Sequence, residues 1–197
     1  MIKVQNAATS LILSFFAPFR ALVGKPIYKT VSNKVVVHIP YFLPVGTLTE
    51  SKINALGVAI TRLFNFSQIR TSVEIRLTRL QYPYLDPYIL AQYLALNAGK
   101  YNFARMQKMV FSKAPTISMD TVLPTDALPS QLTGVKLELA GRLITQRSIP
   151  RKTVENGHMG SFVTNNNLNT SLDFSQYASK NKLNAFTIKV WVSQKAI

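Results

Sequence analysis

A formal charge of +15 on a chain of which 47% is hydrophobic and only 16% charged constrains this sequence more than any motif in it. The apolar fraction suffices for one sizeable core or two small ones. The 23 Lys and Arg, set against 8 Asp and Glu, therefore sit on the surface of a folded body and not on a disordered tail. They are evenly spread: ten precede Gly99 and thirteen follow from Lys100 onward, against three and five acids. A compact body so unbalanced repels itself, and a polyanion that accepts many cationic contacts relieves the repulsion by releasing counterions. Nucleic acid is the partner class this implies. An anionic membrane surface meets the same electrostatic need and is the rival.

That rival has one segment to work with. From Ala7 to Val23 the chain reads AATSLILSFFAPFRALV. Its apolar run, Leu11 to Ala17, contains Ser14 and is followed by Pro18 and Arg20, well short of the roughly 20 residues a span needs. Leu11, Phe15, Phe19 and Leu22 recur at helical spacing. This predicts an amphipathic helical extension over residues 1–30, kinked near Pro18 and docked through that stripe. As an alternative function, the same helix would hold a basic peripheral protein on an inner membrane. The absence of cysteine excludes disulfides, thiolate metal sites and a cysteine nucleophile.

Patterning predicts an α+β protein of two domains. Val35 to Ile39 is an apolar run before Pro40, the signature of a buried strand, with His38 as a core histidine. Thr47 and Glu50 have the S/T-x-x-E spacing that opens a helix, whose apolar stripe is Ile53, Leu56, Ile60 and Leu63. Thr71 to Arg79 alternates as a half-buried strand does, with Val73, Ile75 and Leu77 on one face. Asp86 followed by Pro87 caps and starts a helix to about Asn97. Asn102 caps another, which turns Phe103, Met106 and Val110 inward. Ala114 to Pro129, with three prolines, predicts a linker between domains at 31–127 and 133–197.

In the second domain Val135, Leu137 and Leu139 alternate along a strand. Gly157 to Gly160 (GHMG) reads as a hairpin turn, Asn165 to Asn169 as a loop tip, and Asp173 to Ala178 as one turn of helix. The last strand is Thr187 to Val192, with Lys189 and Trp191 opposite Ile188, Val190 and Val192. Trp191 reads first as a core residue and second as a surface on which a base stacks.

Eight carboxylates and two histidines do not cluster, and no Walker loop, GxSxG elbow or HExxH is present. No catalytic residue, metal site, cofactor or small-molecule substrate is expected. The cations carry the candidate chemistry. Arg105 and Lys108 lie three apart on one helix face, and no acid occurs between Lys100 and Lys113 to pair with them. The segment RLITQRSIPRK holds Arg142, Arg147, Arg151 and Lys152 without an acid, and Pro150 keeps part of it extended. Loops of Arg forks suit an irregular polyanion better than a regular groove. Lys136, Lys180 and Lys182 add to this set. His158, in GHMG, reads as a solvated or phosphate-contacting side chain. A KH clamp also uses GxxG, but it joins two helices, and here Ser161, Phe162 and Val163 follow.

Several stretches carry a family likeness. GVKLELAGRL (Gly134 to Leu143), Arg147 and Arg151, Asp173-Phe174 and FTIKVW (Phe186 to Trp191) resemble the C-terminal domain of the small-subunit ribosomal protein three family. The strand SVEIRL, the Asp86 helix with Ala91 and Leu94, and NFARMQK resemble the second half of that family's KH domain and its basic helix. RLQYPYLDPYILAQYLALN, RSIPRKT and SQYASKNKL are similar to the fungal mitochondrial form. The resemblance implies a degenerate KH-like domain, with Val45-Gly46-Thr47-Leu48 in place of the usual GxxG, then a small mixed-sheet C-terminal domain with packed helices. It implies a structural constituent of the small-subunit head in the mitochondrial matrix, with ribosomal RNA, messenger RNA (mRNA) and neighbouring small-subunit proteins as partners. Arg142, Arg147, Arg151, Lys152, Lys136, Lys180 and Lys182 would then hold rRNA, and Arg105 and Lys108 would face mRNA where it enters the subunit. That fungal form is typically encoded in the organelle, an expectation that agrees with a start at Met1 without an import sequence.

Overall fold

The computed structural model describes residues 2–31, 34–44, 46, 48–65, 72–116, 130–146, 153–162 and 170–196. Contacts divide the chain into two compact units, Met1–Tyr82 and Pro83–Ile197. The division thus precedes the proline-rich stretch from Ala114 to Pro129, most of which lies outside the described residues. The reason is packing: the two helices that follow Pro83 bury their apolar faces on the sheet of the second unit. Composition marks a linker, but burial decides which unit a helix joins.

In the first unit α1 (Ile2–Phe16) is followed by β1 (Leu22–Val23), β2 (Ile27–Val31), β3 (Lys34–Phe42), α2 (Glu50–Asn65) and β4 (Ser72–Arg79). β3 pairs antiparallel with β1 and β2 on one side and parallel with β4 on the other, Val35 opposite Val73 and Tyr41 opposite Arg79. α2 supplies the crossover that a parallel pair requires. Pro40 does not end the strand. Its carbonyl accepts the Gly24 N–H at 2.8 Å, so its missing donor faces the break between β1 and β2, where no ladder bond is lost. Val35, Val37 and Ile39 pack beneath the helices with Leu56 and Ile60, while His38 faces the other side half-buried and is not a core histidine.

Two expectations shift in register. The buried stripe of α1 is Ala8, Ile12 and Phe16, with Leu11 and Phe15 on its flank. The helix is not kinked at Pro18 but stops at Phe16; a 3-10 turn, Ala17–Phe19, follows and closes on Arg20 at φ 53°. Proline cannot continue the i to i−4 ladder, and Leu22 accordingly begins a strand. Thr47 lies outside the described residues, and Glu50 is the first residue of α2 and not its third, so the expected box gives way to Thr49, whose carbonyl accepts from Lys52 and Ile53. The apolar face of α1 is spent on the first unit's own core, which removes the ground for a helix lying in a membrane surface. No helix among the described residues is long and apolar enough to cross a membrane.

The second unit is α3 (Pro87–Asn97), α4 (Phe103–Lys113), β5 (Ser130–Gly141), β6 (Val154–Gly160), β7 (Thr170–Lys180) and β8 (Ala185–Ala196). Its sheet runs β6-β5-β8-β7 and is antiparallel throughout, not mixed as expected. Both helix starts follow the sequence reading. Asp86 Oδ1 accepts the N–H groups of Tyr88 and Ile89 at 2.8 and 2.9 Å, and Asn102 Oδ1 accepts that of Arg105 at 3.0 Å. Leu90, Leu94, Phe103 and Met106 meet Val135, Leu137, Leu139, Ile188, Val190 and Val192 in one core. Each fully buried side chain of this size contributes about 1.5–3 kcal/mol.

Two local readings are overturned here. GHMG is no turn: it lies within β6, with Gly157 opposite Leu137. Asp173 to Ala178 is no helix but the middle of β7, because pairing with β8 from Lys180 to Thr170 claims its backbone donors. The expected loop tip, Asn165 to Asn169, lies outside the described residues.

Candidate nucleic-acid interface

At one end of the second sheet the chain turns after β5, enters β6 and passes from β7 to β8. Gly141 leaves β5 at φ 111°, a conformation that favours glycine, and its N–H donates to the Thr153 carbonyl at 2.7 Å. The next residue is Arg142. Its carbonyl accepts from Asn181 Nδ2 at 2.8 Å, which ties it to the β7–β8 turn. That turn is built on Asn181, whose Oδ1 accepts the N–H groups of Leu183 and Asn184 at 2.9 and 2.7 Å. Arg142, Lys180 and Lys182 are thereby gathered at one rim, and Arg142 Nε is buried with no partner among the described residues. Lys180 and Lys182 line a depression there with Ala98, Gly99 and Ile144. Arg147, Arg151 and Lys152, expected at the same place, lie outside the described residues.

α4 presents the second group. Its inner face is Phe103, Met106 and Val110, so Arg105 and Lys108 point outward and are exposed. The Arg105 guanidinium lies 4.8 Å from the Tyr101 ring centroid, which holds it without neutralising it. Among the described residues no carboxylate pairs with either cation. The start of α4 is fixed near the rim by Thr145 Oγ1, which donates to the Tyr101 carbonyl at 3.3 Å. Its middle lies against β6, where the Gln107 amide crosses Gly157; a Cβ there would collide with that amide. Glycine thus brings Lys108 to the depression that His158 also lines.

Lys136 is not part of the rim. It stands on the outer face of the sheet, away from the helices, in a row that crosses all four strands: His158, Lys136, Trp191 and Phe174. Trp191 is therefore no core residue. Its ring lies 5.0 Å from that of Phe174, and Lys136 Nζ is 4.7 Å from its centroid. In the next row Lys189 Nζ donates to Glu138 Oε1 at 2.7 Å, which neutralises the acid on that face nearest Lys136. Alternation in FTIKVW sets Trp191 on the face opposite Ile188 and Val190 from sequence alone; Phe174 carries no such signal, since DFSQYA reads as a turn of helix and only pairing with β8 makes it strand.

In the first unit the strongest ionic feature is closed on itself. Glu74 pairs with Lys34 and, at 2.6 Å, with Arg76 Nε. Hydrogen bonds from these two cations hold its carboxyl well down, to about 2 from the ordinary 4.5.

A family described as mitochondrial ribosomal protein (VAR1) matches residues 21–195 of this sequence. A Mycosarcoma maydis protein named small ribosomal subunit protein uS3m is 32% identical over 192 aligned positions, and the match spans 88% of this chain and 68% of that one.

Proposed function

Because the chain belongs to the mitochondrial ribosomal protein (VAR1) family, and so to the ribosome of the mitochondrial matrix, we propose that it is a structural constituent of the small-subunit head. Its role there is to bind and not to catalyse. Arg142, Lys180 and Lys182, with Lys136 and with Arg147, Arg151 and Lys152, hold rRNA phosphates. Arg105 and Lys108 guide mRNA phosphates where the messenger enters, and neighbouring head proteins complete the site. The observation that carries this reading is the tie between Asn181 and the Arg142 carbonyl, which gathers separate cations into one rim. Such contacts fix position and carry no sequence information. The first unit is a degenerate KH-like module in this proposal; its helix, antiparallel strand pair, helix and parallel strand support that.

The test separates the two groups of cations. In organelle translation, Arg105→Ala with Lys108→Ala is expected to lower messenger loading while the small subunit sediments normally. A normal initiation rate would remove the messenger role. A tagged chain that fails to co-sediment with small subunits through sucrose would remove the ribosomal one.

A further inference from the structure

We propose that the outer face of the second sheet is a stacking surface for unpaired RNA bases, continuous with α4 across the β6 edge. This rests on the RNA-binding reading above and names how one part of the nucleic acid is held. The row His158, Lys136, Trp191, Phe174 is basic on the two strands nearest α4 and aromatic on the two beyond. Phe174 is 48% exposed and Leu172, beside it on the same face, 47%. Large apolar groups are not left open this way by packing needs, since the core of this unit lies on the opposite face. A depression of about 390 Å³ lies among Lys136, His158, Phe162, Leu172 and Trp191.

The occupant follows from the pairing of cation with ring. An apolar partner helix would gain nothing from Lys136 above the indole, and an acidic peptide has no use for the exposed Phe174 ring beside it. A single strand of RNA uses both, because each nucleotide brings a phosphate and a π face. His158 lines both this depression and the one shared with Lys108. A strand leaving Arg105 and Lys108 therefore passes the His158 imidazole and Lys136 before it reaches Trp191, where its bases turn onto the rings. Glu138 does not repel it, being held by Lys189.

Trp191 is the one tryptophan of the chain, so its emission reports on this face alone. The full-length chain is titrated with dye-labelled oligoadenylate of about 12 nucleotides, and with an abasic oligomer of equal length. Anisotropy follows binding and Trp191 emission follows stacking. Quenching by oligoadenylate but not by the abasic strand is expected. Phe174→Ala and Trp191→Leu should each weaken oligoadenylate binding about tenfold and leave abasic binding unchanged. Binding with unaltered emission and unaltered variant affinities would overturn the stacking surface while RNA binding stands. No binding of either strand at low salt would instead remove the reading beneath it. Emission that responds to head proteins without RNA would reassign the face to a protein partner and overturn the proposal.

Discussion

The two units carry nearly the same excess charge and use it differently. Residues 1–82 hold ten Lys and Arg against two acids, and residues 83–197 hold thirteen against six. By that measure the first unit is the better ligand for a polyanion. Yet its strongest ionic feature is the closed group of Lys34, Glu74 and Arg76, whereas in the second unit three of the six acids are engaged away from the candidate cations. Asp86 caps α3, Glu138 is held by Lys189 and Glu155 accepts from Gln146 at 2.9 Å. Arg142, Lys180, Lys182, Arg105, Lys108 and Lys136 are left beside rings, glycines and turns. On the proposed reading, what marks the interface is the company its cations keep.

The largest expected effect sharpens the distinction between the faces of the second sheet. Leu137→Ala, in the buried core, should cost about 2–5 kcal/mol in a urea titration followed by Trp191 emission. Phe174→Ala on the other face should stay within about 0.5 kcal/mol. Equal costs would mean that the outer face is packed and not open. Next in size, Asp86→Ala should cost about 1 kcal/mol by removing the cap of α3, measured in the same titration.

These sites also show how far the sequence was legible. Both caps, the inner faces of α3 and α4, and the alternation in β4, β5 and β8 follow from residues within one turn or one strand of each other. What failed depended on distant partners. Pro40 stays in its strand because of Gly24, and GHMG becomes strand because β5 pairs with it. Asp173 looked like a cap because nothing local shows that β8 will claim the backbone around it. For the site, the cations could be named from their lack of acidic neighbours. The tie from Asn181 to Arg142, and the row that joins His158 to Phe174, are products of sheet register and have no signature in the chain.

Smaller effects test the contrast in charge directly. If Arg105 and Lys108 each contact a phosphate, their joint replacement by alanine should reduce the slope of log affinity for single-stranded RNA against log salt by about 1.4. Replacing Lys34 and Arg76 together should leave that slope unchanged, since Glu74 already engages them. A loss in both pairs would erase the difference between units. The smallest effect concerns pH. Glu74 is lowered to about 2 when folded, below its unfolded value, so its stabilisation is fully present above about pH 4.5 and is lost as pH falls toward 2. Glu74→Gln should flatten that limb of the acid titration slightly, the group being exposed.

Ultraviolet crosslinking of isolated mitochondrial small subunits, with RNA adducts mapped to peptides by mass spectrometry, bears most directly on the claim that the second unit's cations and rings face nucleic acid. Adducts should concentrate on the α4 peptide and on the peptides carrying Phe174 and Trp191. Adducts confined to residues 1–82, with the second unit unmodified, would contradict it.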